Sequence, residues 1–164
     1  MTATVAVGDI APRFALLGSD WRGEAPPTFA LEDALAEGGV VLHFFPAPFT
    51  STCEAQMCAV RDGIAAYDGA TVWGVTTHHP ILIARWEAEH RFAVPILADV
   101  TGEVARAYVG LYGDEIWPGL RNTARRGVIG ISPQGVVGAV WVGATPGDAP
   151  PDDAVAAAIA VARG

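Results

Sequence analysis

The segment Val40-Val41-Leu42-His43-Phe44-Phe45 is rich in β-branched and aromatic side chains and stops at Pro46 and Pro48, the pattern of a buried strand whose continuation two prolines deny. From Glu54 to Tyr67 the period changes to that of a helix. Met57, Val60, Ile64 and Tyr67 fall on one stripe, with Arg61 and Asp62 off it. Further on, Thr71 to Thr76 predicts a second buried strand. Ile81 to Phe92 predicts a helix that turns Leu82, Trp86 and Phe92 inward, and Ile96 to Ala98 a short strand after Pro95. Gly102 to Tyr108 reads as a short helix ending near Gly110. Arg126 to Ile131 and Val136 to Val142 flank Ser132-Pro133-Gln134-Gly135 as a hairpin. After a Gly- and Pro-rich link from Gly143 to Pro150, Pro151 suits a first helical turn, Asp152 and Asp153 complement its dipole, and Ala154 to Arg163 forms the last helix. Strands and helices that alternate before a closing hairpin predict an α/β fold with a mixed central sheet flanked by helices. Gly110 to Ala124 is irregular and reads as a loop covering the site.

The length of 164 residues and 51% hydrophobic content predict a single domain, residues 1–164, with an ample core. Two cysteines make no extracellular disulfide framework, and Met1 to Ile10 has no charged start followed by an apolar segment. These features point to a cytoplasmic protein. The aliphatic stretch Ala154 to Ala162 is far shorter than the roughly 20 residues that span a bilayer, so no membrane partner is expected. The net charge is −8, and all ten basic residues are arginine, which argues against nucleic-acid binding. A salt-rich cytoplasm or a GC-biased genome would each produce such a composition.

Against this background Thr50-Ser51-Thr52-Cys53 stands out, because it places a cysteine where the helix begins. A helix N-terminus offers unpaired N–H groups and the positive end of the dipole, and these favour the thiolate, the nucleophilic form. Thr50 can bring a hydroxyl beside the sulfur, and Pro46 would shield it from water. Plain structural alternatives stay open. Cys53 and Cys58 could be small core residues, Thr50 a helix cap, and Pro46 a strand terminator. His78-His79 has no third ligand spaced nearby, so no metal is expected.

Pro46, Thr50 and Cys53 together match the Pro-x-x-x-Thr-x-x-Cys signature, and Cys53-Glu54-Ala55-Gln56-Met57-Cys58-Ala59-Val60-Arg61-Asp62 continues it. On these residues the chain resembles the peroxiredoxins, in particular the bacterioferritin comigratory protein or PrxQ subgroup. The likeness extends over roughly residues 5 to 142, through Gly8 to Phe14, Val72 to Thr76, Ile96 to Asp99 and Arg126 to Ile131. The resemblance implies a thioredoxin-like fold and a thiol peroxidase acting on hydrogen peroxide or organic hydroperoxides. In it Cys53 attacks the O–O bond and becomes a sulfenic acid. The family also supplies an arginine from a late strand. Counting back from the 132–135 turn places it at Arg126, with Arg125 as the register-shifted alternative, and a surface ion pair as the plain reading of Arg126. Cys58 would condense with the sulfenic acid, and a thioredoxin-type dithiol would reduce the disulfide. The resemblance implies neither a metal nor an organic cofactor, and family members are monomers or homodimers.

The implied disulfide has a geometric consequence. Five residues of regular helix turn through about 500° and rise about 7.5 Å, so the two Cα atoms lie roughly 8.6 Å apart. A disulfide needs less than about 7 Å. Its formation therefore requires the start of the helix to unwind. A disulfide oxidoreductase of related fold would need Cys-x-x-Cys, a spacing absent here. A non-catalytic redox sensor or holdase using the same two thiols is the alternative function. Glu54, next to Cys53, complements the helix dipole but opposes a neighbouring thiolate.

Overall fold

The computed structural model describes residues 4–19 and 25–164, so the first three residues of the Met1 to Ile10 segment lie outside it. The strands are β1 (Ala15–Gly18), β2 (Thr28–Ala30), β3 (Gly39–Phe44), β4 (Ala70–Thr76), β5 (Ile96–Ala98), β6 (Gly127–Ile131) and β7 (Val137–Val142). The helices are α1 (Leu31–Glu37), α2 (Ser51–Asp62), α3 (Pro80–His90), α4 (Glu103–Tyr108) and α5 (Asp152–Arg163). One seven-stranded sheet runs in the order β2-β1-β5-β4-β3-β6-β7. Its centre, β5-β4-β3, is parallel, and both flanks are antiparallel. This mixed sheet between helices is the thioredoxin-like fold that the resemblance implies.

Strand β3 is buried on both faces, as its continuous apolar run requires. Alternation sends Val40, Leu42 and Phe44 to one side, where Leu31 of α1 and Ala105 and Tyr108 of α4 cover them. Val41 goes to the other side with Phe45, among Met57 and Val60 of α2, Ile83 and Trp86 of α3, and Ala158 and Ile159 of α5. The same alternation places His43 on this second side. Helix α5 sits close to the sheet because Gly130 has no side chain: a Cβ there would stand 2.7 Å from the Ala158 Cα.

Several boundaries differ from expectation for local reasons. Helix α2 stops at Asp62, and Ile64–Tyr67 forms a separate 3-10 turn after Gly63. That break rotates Ile64 out to 37% exposure while Tyr67 stays buried. In α3, His79 caps the N-terminus and Pro80 opens the helix, a phase that turns Ile83 and Trp86 inward and leaves Leu82 exposed. The helix ends at His90 because Arg91 is left-handed, yet Phe92 remains fully buried beyond it. Pro151 is the N-cap of α5 and precedes its first turn. The 110–124 segment is pinned by an isolated Leu111–Ala124 bridge and contains a 3-10 turn at Pro118–Leu120. Among the described residues no helix is long and apolar enough to cross a membrane.

Candidate active site

Strand β3 delivers the chain through Phe45 and the buried Pro46 and Pro48 into a turn, with Phe49 in the left-handed region at φ 61°. Thr50 is the N-cap of α2, but its side chain makes no cap hydrogen bond. Its hydroxyl instead donates to the Ala47 carbonyl at 2.8 Å, closing the turn. With its hydrogen so committed, the oxygen keeps its lone pairs for an incoming donor. Cys53 follows as the third residue of the helix and is only 1% exposed.

Arg126 stands immediately before β6 and is 1% exposed, which sets aside the surface ion pair as its role. One amino group donates to Cys53 Sγ at 3.4 Å and to the Pro146 carbonyl at 2.8 Å. The other donates to Gln56 Oε1 at 2.6 Å, and Nε reaches the Pro146 carbonyl at 3.2 Å. The Tyr112 hydroxyl accepts from the Arg126 backbone N–H at 3.3 Å. Burial pushes that phenol up, against the opposing pull of the bond from Arg126. Arg125 points elsewhere, with its guanidinium on the Gly143 carbonyl at 3.1 Å. The register thus turns Arg126, and not Arg125, to the Cys53 sulfur. A guanidinium held by two neutral acceptors, Gln56 Oε1 and the Pro146 carbonyl, keeps its positive charge available to the sulfur, the polarity that a thiolate and a departing oxyanion require.

Cys53 and Arg126 are therefore brought together, with Thr50 one turn upstream and Pro46 at the strand exit. Cys58 lies in the same helix, half-buried, and both cysteines are free thiols. Glu54 pairs with His90 Nε2 at 3.2 Å, so its carboxylate leans towards α3. Arg61 donates to the His90 carbonyl at 2.8 Å, and the end of α3 thereby holds both ends of α2. His79 Nδ1 accepts from the Ile81 N–H and His78 Nδ1 meets the Thr76 hydroxyl, so the adjacent pair serves two separate local contacts.

Gln56 and Pro146 belong to the site and were not among the candidates from sequence. Gln56 had a signal, because a residue three positions after Cys53 shares its helix face. Pro146 contributes only a backbone carbonyl from the Gly143 to Pro150 link, and no side-chain pattern marks that. Behind Gln56 lies His43, whose Nε2 is 2.9 Å from the Tyr67 hydroxyl. Burial pushes the imidazole down from 6.5 to about 4 and the Tyr67 phenol up to about 12.

The AhpC/TSA family model matches residues 7–140. Chloroplastic peroxiredoxin Q of Populus jackii is 28% identical over 98 residues, 53% of this chain and 46% of that protein. Alkyl hydroperoxide reductase E of Mycobacterium tuberculosis is 25% identical over 135 residues, 80% of this chain and 81% of that one. The crystal structure of peroxidoxin BcpB from Mycobacterium tuberculosis superposes with a TM-score of 0.76 at 25% identity, covering 96% of each chain. With the family match spanning most of its length, the chain belongs to the AhpC/TSA family, the peroxiredoxins, a membership that supports thiol peroxidase activity.

Proposed function

We propose that Cys53 is the peroxidatic thiol of a two-cysteine peroxidase. The observation that carries this reading is the Arg126 guanidinium, buried and aimed at Cys53 Sγ from 3.4 Å at the start of α2. The Cys53 thiolate attacks one peroxide oxygen, an S–O bond forms, and the O–O bond breaks. The second oxygen leaves with the electron pair and takes a proton, giving water or an alcohol and Cys53 sulfenic acid. Arg126 stabilises the sulfur anion and the charge that develops on the departing oxygen. Thr50 Oγ1, its hydrogen held by Ala47, accepts a hydrogen bond from the peroxide and orients it. Pro46, buried at the strand exit, limits access of bulk water.

Cys58 then attacks the sulfenic sulfur and expels water, leaving an intramolecular disulfide. Both thiols belong to α2 at five-residue spacing, so α2 must unwind first and break the Glu54–His90 and Arg61–His90 contacts. An external thioredoxin-type dithiol restores the two thiols by exchange.

The test is mass mapping after stoichiometric hydrogen peroxide, followed by turnover with a dithiol. Wild type should yield a Cys53–Cys58 disulfide, Cys58→Ser a trappable sulfenic acid on Cys53, and Cys53→Ser no fast oxidation. Peroxide consumption must then continue for as long as dithiol is supplied. A single oxidation event without turnover would make the chain a sensor instead.

A further inference from the structure

The Arg126 guanidinium has only donors, and what holds it extends inward along one line of polar side chains. Because arginine cannot accept, the Gln56 atom 2.6 Å from its Nη1 is the amide oxygen. The Gln56 amide nitrogen is thereby turned inward, where it lies 3.4 Å from His43 Nδ1 and 3.4 Å from the Phe44 carbonyl. An amide nitrogen only donates, so Nδ1 must be bare to receive it. A neutral imidazole with a bare Nδ1 carries its hydrogen on Nε2, and that hydrogen goes to the Tyr67 oxygen at 2.9 Å. The polarity of the whole line, Arg126 to Gln56 to His43 to Tyr67, follows from its arginine end. The line stops at a cavity of about 340 Å³ between α2 and α5, lined by His43, Gln56 and Tyr67 together with Val60, Val155 and Ile159.

We propose that His43 is a positioning residue for the peroxide reaction: its bare Nδ1 holds the Gln56 amide so that Gln56 Oε1 fixes the Arg126 guanidinium against Cys53. The proposal rests on the reading of Cys53 and Arg126 given above. An apolar ring at position 43 would suit a strand buried on both faces, so the imidazole calls for another explanation than core filling. Without it the Gln56 amide keeps one of its two 3.4 Å contacts, the one to the Phe44 carbonyl, and the side chain gains freedom to turn. Arg126 would still be held by Pro146, so the loss is partial and reads as slower oxidation, not inactivation.

The experiment combines a spectrum with a set of rates. In ¹⁵N spectra of the reduced protein, the histidine signal lost in His43→Asn should show a protonated Nε2 and a bare Nδ1; a protonated Nδ1 overturns the proposal. Stopped-flow oxidation of Cys53 by hydrogen peroxide should be slowed about tenfold in His43→Phe, the loss of one ordinary hydrogen bond. His43→Asn, with an acceptor near the Nδ1 position, should recover most of the rate. His43→Gln, whose acceptor sits near the Nε2 position, should not, and it decides the matter if the phenylalanine variant fails to fold. In a Gln56→Leu background His43→Phe should cost nothing further, because both act through one contact. Wild-type rates in His43→Phe and His43→Gln, or an undiminished loss in the Gln56→Leu background, overturn the proposal. Failure of the peroxidase reading is distinct, since it would appear in the wild type as oxidation at free-thiol rates.

Discussion

The two sides of β3 are supplied by alternate residues of one strand and do different work. On the side under α1 and α4, Val40, Leu42 and Phe44 pack in an apolar cluster with Val75, Tyr108 and Ile129. On the side under α2 and α5, Val41 and Phe45 flank His43, and a line of hydrogen bonds leads from it to the Cys53 sulfur. A buried polar group costs free energy unless it is paired, so polar side chains in a core need near-complete mutual satisfaction. The apolar side can therefore be judged by area and packing alone. The α2 side must be judged by who donates to whom.

The contrast is broken most forcefully on the apolar side. Phe44→Ala should cost about 3–5 kcal/mol of unfolding free energy, the usual range for emptying an aromatic site, while Cys53 oxidation by hydrogen peroxide keeps its rate. Denaturant titration and stopped-flow on the same protein check this. A rate that falls with the stability would mean the two sides are not separable.

The next effect belongs to His43. Its folded-state value lies near 4, below the ordinary 6.5. Between those values the unfolded chain binds a proton that the folded chain refuses, so stability falls as pH drops from 6.5 to about 4. The contribution is fully present above 6.5, and the loss from this group reaches about 3 kcal/mol. Tyr67 and Asp152 are the other titratable groups around its cavity. Denaturant titrations across this window should show a slope in wild type that is shallower by this amount in His43→Phe; equal slopes would contradict the assignment.

Gly130→Ala tests the seam between the sheet and α5. A Cβ 2.7 Å from the Ala158 Cα forces backbone to move, so about 1–3 kcal/mol should be lost in thermal or denaturant unfolding. The smallest effect is expected at Glu54→Gln. Its contact with His90 is only partly buried, worth a few tenths of a kcal/mol by denaturant titration. Because that pair must part before α2 unwinds, disulfide formation in the variant should be no slower than in wild type.

Long runs with one clear period were legible in the sequence. The β3 run, the β4 and β5 strands, the 126–142 hairpin and the last helix all stand within a residue or two of their expected places. The stretch holding β1, β2 and α1 shows no clear period in the sequence, because strands of four and three residues carry too few alternations to register. An ideal 3.6-residue repeat turns Ile64 and Leu82 inward, but Gly63 and the His79-Pro80 cap reset the phase. At the candidate site, motif and helix start coincide, which is what makes Cys53, Thr50 and Pro46 candidates in the sequence. The choice between Arg126 and Arg125 depends on strand register, since neighbouring residues face opposite ways. Pro146 offers a carbonyl that any residue could offer, and nothing in its identity announces it.

The most direct test of the account is the rate at which hydrogen peroxide oxidises Cys53, measured by stopped-flow in wild type and in Arg126→Met. The account predicts oxidation far faster than that of a free cysteine and a loss on the order of 10²-fold in the variant, the scale for removing one preorganised donor to a developing anion. Oxidation at the free-cysteine rate in wild type, or an unchanged rate without the guanidinium, would contradict it.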